Sequence, residues 1–255
     1  MKQIVWSEFE RTFKRKKTMV LLIVYAGLLA LECLFLSSMR TGFFDAENSV
    51  QVDSLNAATL FFRDISFFVN FILIPMLVVD SFNGEYTSGA LRMVLIRPVS
   101  RAKLFLAKWS VQYFIILAII CITWLTGTLF GRFAMPNVES TVFLGNEAVS
   151  SFGAFLYTLR FYGIALLIYM SLISVGSFIS VLMPNPILSY VGYIGVLVGA
   201  IYASDQFIFL LAVTDSIFQQ LSHVNAEGFL VTLSVLLIVS IIMNLGLWKK
   251  KEWMG

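Results

Sequence analysis

The chain has 255 residues and a formal net charge of +3, with 59% hydrophobic and 13% charged residues. A soluble globular domain carries about 45–50% apolar and about 25% charged residues, so this composition excludes a water-soluble protein. The apolar residues form long continuous blocks, each near the ~20 residues that an α-helix needs to cross a bilayer. Transmembrane β-strands would instead alternate apolar and polar residues over about ten positions, so a membrane barrel is not expected.

Six apolar blocks predict six transmembrane helices in a single all-α membrane domain that covers residues 1–255. The predicted spans are residues 18–36, 60–82, 104–130, 161–183, 187–203 and 229–248. Before them, residues 1–17 place Trp6, Phe9 and Phe13 at helical spacing between charged side chains. This spacing predicts an amphipathic helix along the membrane interface, with a frayed basic tail as the alternative.

The basic residues predict how the chain crosses the membrane. Fourteen of the 18 Lys and Arg residues lie in three regions. These are the residues before the first block, the connector between the second and third blocks together with the start of the third, and the residues after the sixth block. Because loops rich in these residues stay in the cytoplasm, both termini are expected there, in a multi-pass protein of a bacterial-type plasma membrane. The basic side chains would anchor the chain on anionic membrane lipids, and no soluble basic domain is present to bind nucleic acid.

Polar residues inside the spans are few. The ionisable ones, such as Lys108, lie near the ends of the blocks, where they can extend to lipid headgroups. Asn70 is an amide at mid-depth, and Pro75 follows five residues later, where it is expected to kink the helix. These two residues are candidates for the translocation path or for an interface with another helix or subunit.

The segment at residues 204–228 contains apolar runs that are too short to span the membrane. It fits either a re-entrant segment in the outer leaflet or an amphipathic outer helix. One histidine and two cysteines exclude a His/Cys zinc cluster, so no metal site and no cofactor bound by this chain are expected.

The connector at residues 83–103 is the most distinctive part of the sequence. It predicts a short helix with Leu91 and Leu95 one turn apart, ended by Arg97-Pro98. Ser100 is a favourable N-cap for the third span. A short helix with an apolar stripe at the membrane surface either docks into a partner or packs on its own bundle.

The residue order of this connector resembles the signature of ABC-2 type permeases, the membrane subunits of a class of ATP-binding cassette exporters. The positions that follow the order are Glu85, Ser88, Gly89, Leu91, Leu95, Arg97, Pro98, Val99, Ser100, Arg101 and Lys108. Ile96 departs from it, since many members have a small polar residue there. Six spans, cytoplasmic termini and an amphipathic first segment also fit, so the resemblance implies an ABC-2 (type V) exporter fold for nearly the whole chain.

The resemblance also implies a mechanism. Family members pair two permeases, identical or homologous, with two copies of a cytoplasmic ATPase. A coupling helix of the permease docks on that ATPase, here residues Glu85, Ser88, Gly89, Leu91, Leu95 and Arg97. Pro98, Ser100, Arg101 and Lys108 would restart the third helix. The sequence has no G-x-x-x-x-G-K-[ST], so ATP and Mg would bind to the separate ATPase chain.

The expected function is therefore export of an amphipathic or hydrophobic substrate, with a peptide, such as a toxin or antimicrobial peptide, as the first candidate. By itself the chain is not expected to be an enzyme. An ion-driven carrier or channel is the alternative and would be favoured by inverted repeats or buried charges. A membrane-embedded enzyme would need clustered catalytic groups at membrane depth. The sequence shows no inverted repeats, no pattern of buried charges and no such catalytic cluster.

Overall fold

The structure is a computed structural model that describes residues 1–45, 47–91, 100–145, 147–222 and 228–250. Within these ranges, six helices are long and apolar enough to cross a membrane. The prediction of an all-α, multi-pass membrane protein with six spans is confirmed.

The helices are numbered in chain order. They are α1 (Lys2–Phe13), α2 (Lys16–Met39), α3 (Ala57–Thr87), α4 (Arg101–Ala134), α5 (Ser151–Leu182), α6 (Pro186–Ala203), α7 (Val213–Leu221) and α8 (Phe229–Lys250). The described residues also form two antiparallel hairpins and a 3₁₀ helix. These are β1 (Thr41–Phe43) with β2 (Ser49–Gln51), β3 (Ser140–Thr141) with β4 (Val149–Ser150), and Asp205–Leu210.

The spanning helices alternate in direction, so the connections lie on two faces of the bundle. The terminal face carries α1, the C-terminal end of α3, the N-terminal end of α4, the α5–α6 connection and the C-terminal end of α8. A hydrogen bond from Arg101 Nη1 to the Lys249 carbonyl (3.4 Å) places the start of α4 beside the end of α8. The hairpin face carries the two hairpins and α7.

Polar N-caps set where several spans begin. α5 begins ten residues before its predicted start, because the Ser150 hydroxyl caps it by accepting from the Gly153 amide (3.5 Å). Asn185 caps α6 by accepting from the Leu188 amide (2.8 Å), with Pro186 in the first helical position, where its missing N–H costs nothing.

The centre of the bundle is formed by α3 and α5, whose most apolar windows are 67% buried, against 17% for α6 and α8. Two glycines let α4 pack closely on α3. A Cβ at Gly131 would lie 2.7 Å from the Ala57 Cβ, and one at Gly127 would lie 3.0 Å from the Ala58 Cα. Small residues allow helix backbones to approach in this way.

Between Ala57 and Thr87, α3 widens into π-helical turns at Val69–Leu73 and Asp80–Gly84. The first precedes Pro75, which lacks the N–H that would bond to the Phe71 carbonyl. The Tyr190 hydroxyl of α6 donates to that carbonyl instead (2.5 Å). A hydroxyl from a neighbouring helix thus satisfies the backbone group that the proline leaves free.

Candidate coupling site

Five charged side chains meet at the terminal face, within the described part of the chain. They are Glu8 and Arg11 of α1, Arg15 at the start of α2, Glu85 of α3 and Lys108 of α4. Lys108 Nζ donates to Glu8 Oε2 (2.8 Å) and to Glu85 Oε2 (2.5 Å). Arg11 Nη1 donates to Glu8 Oε1 (3.0 Å) and to Glu85 Oε2 (3.1 Å), and Arg15 Nη2 donates to Glu85 Oε1. We call these five residues the ion-pair network.

Helical spacing and one turn bring the N-terminal members of the network together. Glu8 and Arg11 are three residues apart in α1 and therefore lie on the same side of that helix. Arg15 is the N-cap of α2 and has an extended backbone (φ −76°, ψ 126°). The chain thus turns from α1 into α2 at Arg15, while its side chain reaches the same carboxylate as Arg11.

Glu8, Glu85 and Lys108 are buried, whereas the side chains of Arg11 and Arg15 are 31% and 20% exposed. Lys108 is only 1% exposed, so the expectation that its side chain extends to lipid headgroups is wrong. Burying an ion costs several kcal/mol unless opposite charges and hydrogen bonds compensate. Here, two carboxylates and three basic groups leave one positive charge in excess, and each carboxylate accepts from at least two donors.

The end of α3 that carries Glu85 is fixed from a second side. The π-helical turn at Asp80–Gly84 directs the Asn83 side chain towards the C-terminal end of α5. Asn83 Nδ2 donates to the carbonyls of Ser180 (2.9 Å) and Met183 (2.7 Å). Carbonyls in the last turn of a helix have no partner within that helix, so this amide caps α5 as well as anchoring α3.

The predicted coupling residues fall into three groups. Glu85 and Leu91 are buried within the chain's own bundle, Leu91 with 1% exposure. Ser88 is exposed, and Gly89 has a φ of +76°, a left-handed conformation that favours glycine. Leu95 and Arg97 lie outside the described residues, as does Pro98 of the predicted helix restart.

The structure describes the predicted restart of the third helix from Ser100 onwards. The Ser100 hydroxyl is the N-cap of α4 and accepts from the Lys103 amide (3.3 Å). Arg101 holds this first turn against the end of α8 through the Lys249 carbonyl. Lys108, two turns further, lies in the ion-pair network.

The aromatic residues of α1 form a row of ring contacts. The Trp6 and Phe9 ring centroids are 5.9 Å apart, and those of Phe9 and Phe13 are 4.6 Å apart. Trp6 is 69% exposed, while Phe9 and Phe13 pack against the core. The side of α1 that carries Glu8 faces inwards, so the helix brings a carboxylate to Lys108. Sequence reasoning missed Glu8, although its spacing from Arg11 and Arg15 was visible.

Asn70 and Pro75 are both buried inside the bundle. Asn70 Nδ2 donates to the carbonyls of Leu210 (3.0 Å) and Leu211 (3.2 Å), where the 3₁₀ helix meets α7. Asn70 lies thirteen residues into α3, about 20 Å along the helix at 1.5 Å per residue. The segment at Asp205–Leu221 therefore folds inwards from the hairpin face to the depth of Asn70.

Comparison with known proteins agrees with this architecture. The model of the ABC-2 family transporter proteins matches residues 4–194, from α1 through the connector and α5 into α6. No curated protein matches the chain. The family match includes every member of the ion-pair network and covers well over half of the chain. The chain therefore belongs to the ABC-2 family of transporter proteins and is a membrane-spanning permease subunit of an ABC transporter.

Proposed function

We propose that this permease exports an amphipathic or hydrophobic substrate, driven by an ATPase that is a separate polypeptide. Family membership implies an ATP-binding partner. The observation that carries the proposal is the ion-pair network, in which the buried Glu85 joins the predicted coupling segment to α1 and α4 through charge pairs. A displacement of this segment would therefore move α1, α3 and α4 together.

The network suggests how an ATPase would act on the bundle. The exposed docking surface would begin at Ser88, where the chain turns at Gly89. Glu85 is buried, so in this proposal it positions the docking segment and does not itself contact the ATPase. Movement of the segment would pass through Lys108 to α4 and through Asn83 to α5. Two arrangements of packed helices are the usual basis of alternating access.

The arrangement of the complete transporter follows from the same proposal. The terminal face would be cytoplasmic, in a bacterial-type plasma membrane, because the basic residues concentrate there. Two ATPase copies, which bind ATP and Mg, would serve two permeases, identical or homologous. The outer side of α6 supports pairing with a second permease, since Gly195 and Gly199 have open space beside them and Val191 and Val198 are exposed.

The substrate class rests on the apolar character of the membrane region. The exposed side of α6 is almost entirely apolar, as a path for a peptide with a hydrophobic face would require. A peptide, such as a toxin or antimicrobial peptide, is the first candidate. Stimulation of ATP hydrolysis by a panel of peptides, drugs and lipids, measured on the reconstituted complex, would identify the class. Stimulation by non-peptide compounds alone would contradict the peptide assignment.

The docking surface can be tested by co-purification of the permease with its ATPase from co-expressing cells. Ser88→Arg places a bulky charge on the exposed part of the segment, and we expect it to reduce ATPase recovery and coupled transport at least tenfold. Ser140→Arg is the matched control, because Ser140 is an exposed serine on the hairpin face. If Ser88→Arg retains both ATPase binding and transport, the docking surface lies elsewhere.

A further inference from the structure

A cavity of about 540 Å³ opens at the hairpin face, between the C-terminal end of α4 and the N-terminal end of α5. Residues just before and within the first turn of α3 line its third side. Its size is in the range of small-molecule sites in proteins, which is about 300–1,000 Å³. The cavity is far from the ion-pair network, which lies on the terminal face.

The mouth of the cavity favours an anion. Arg132, in the last turn of α4, and the amide of Asn137 both line it, and the N-terminus of the 32-residue helix α5 begins there at Ser151. Among the described lining residues, none is Asp or Glu, and in that part of the chain Arg132 has no ion-pair partner. A guanidinium, an amide and a helix N-terminus together present donors and positive charge to the same space.

The deeper part of the cavity contains polar groups that lack partners. Thr158 lines the cavity and is only 5% exposed, yet its hydroxyl makes no hydrogen bond to any described residue. The indole N–H of Trp124 likewise has no described acceptor. Both donors are available to a ligand in the cavity, so an oxygen at this depth would accept hydrogen bonds from them.

The polar groups lie at two levels along the axes of α4 and α5. Arg132 and Trp124 are eight residues apart in α4, or about 12 Å, and Ser151 and Thr158 are seven residues apart in α5, or about 10 Å. Apolar rings form the remaining wall, with the Trp124 and Phe155 centroids 6.5 Å apart. These values are rises between Cα positions, and the site thus offers an anion position at its mouth, donors deeper in the bundle, and an apolar exit beside exposed Phe155.

We propose that this cavity binds one anionic glycerophospholipid. The phosphate lies at Arg132, Asn137 and the start of α5, the ester carbonyls accept from Thr158 and Trp124, and the acyl chains leave along Phe155. This layout matches the order of groups in a phospholipid, from charged headgroup through ester to hydrocarbon. Basic pockets between membrane helices recognise anionic headgroups by the same chemistry.

The test is binding of phosphatidylglycerol to the delipidated, detergent-purified protein, followed by native mass spectrometry. Saturable binding of one lipid is expected to weaken about tenfold in Arg132→Gln, because a charge-assisted hydrogen bond is lost. Thr158→Val, which keeps the side-chain shape and removes the hydroxyl, should weaken binding about fivefold. Arg40→Gln is the matched control, since Arg40 is an exposed arginine at a helix end on the same face and does not line the cavity.

Further measurements distinguish binding of an anionic lipid from binding of other anions. Phosphatidylethanolamine should bind more weakly than phosphatidylglycerol, and inorganic phosphate should compete only at concentrations far above those of the lipid. Phosphatidylglycerol with brominated acyl chains should quench Trp124 fluorescence in the wild-type protein and much less in Arg132→Gln, with Trp124→Phe to identify the signal. Equal weakening by Arg132→Gln and Arg40→Gln, unchanged binding in Arg132→Gln, or equal competition by inorganic phosphate would each overturn the proposal.

Discussion

At the terminal face, the carboxylates of Glu8 and Glu85 accept hydrogen bonds from basic side chains. At the hairpin face, the carboxylate of Asp53 accepts from neutral donors, namely the amides of Leu55 (2.7 Å) and Asn56 (2.9 Å) and the hydroxyl of Thr141 (2.5 Å). Charge pairs join separate helices at the first face. Neutral donors fix the turns of two neighbouring loops at the second, where a partly exposed ion pair between Arg63 and Asp215 joins α3 only to the short helix α7.

The difference indicates which end of the bundle can transmit movement. Buried opposite charges attract strongly at short range, so helices joined by them resist separation. The donors around Asp53 come from its own turn and from one neighbouring hairpin, so they hold local geometry and connect no pair of spanning helices. The terminal face should therefore behave as one rigid unit, and four substitutions can test this.

Glu85→Gln should have the largest effect. It removes a carboxylate that accepts from Arg11, Arg15 and Lys108, and leaves three basic groups with Glu8 alone. Breaking a buried ion pair on one side costs about 3–5 kcal/mol. We expect a loss of this size in the free energy of unfolding, measured by denaturant titration in detergent, together with loss of coupled transport. A wild-type unfolding curve would contradict the role of the network.

Lys108→Met should separate stability from coupling. It leaves two carboxylates with two arginines, so the remaining charges balance, and the free energy of unfolding should fall by only about 2 kcal/mol. Coupled transport should fall far more, because α4 is no longer joined to Glu85. Lys103→Gln is the control, as Lys103 is exposed on the same helix. Transport at the wild-type rate in Lys108→Met would show that the pair is only structural.

Asp53→Asn tests the hairpin face. The substituted amide keeps one oxygen acceptor but loses the charge, so each remaining hydrogen bond weakens. We expect a loss of about 1 kcal/mol in the free energy of unfolding and coupled transport close to that of the wild type. A transport defect as large as that of Lys108→Met would remove the proposed distinction between the two faces.

Glu10→Gln should have the smallest effect and serves as the control for α1. A hydrogen bond from Lys14 (2.6 Å) lowers the pKa of Glu10, so any stabilisation is present at neutral pH and is lost as the pH falls through the lowered pKa. The pair is exposed, and exposed pairs contribute little. Melting curves of the variant and the wild type should coincide at pH 7, whereas Glu8→Gln should melt earlier.

The six spans could be predicted because apolar length is a property of continuous sequence. The ends of the spans are harder to predict: Thr158 and Arg160 interrupt the apolar run of α5, so the sequence predicts a start at residue 161, ten residues too late. The inward fold at Asp205–Leu221 depends on Asn70, which lies about 140 residues earlier in the chain. Contacts over such separations leave no local pattern.

The candidate site was predicted in part. The connector motif indicated the functional segment, but the exposed or buried state of each residue depends on how the helices pack. The position of Lys108 near a span end predicts a headgroup anchor, and only the packing of α1 and α3 against α4 shows that it has carboxylate partners inside the protein. Glu8 was missed because an acidic residue on an amphipathic helix is normally assigned to water.

Trp248 of α8 is fully buried, with its ring 6.1 Å from that of Phe82 and 5.9 Å from that of Phe105. A ribosome makes the chain from its N-terminus, so the ion-pair network, complete by Lys108, can form long before this tryptophan is synthesised. Until then, the Phe82 and Phe105 rings lack their final partner. Insertion of the sixth span therefore completes the aromatic packing. A chain truncated before α8 would leave the packing site beside Phe82 and Phe105 unfilled and accessible to the quality-control machinery of the cell.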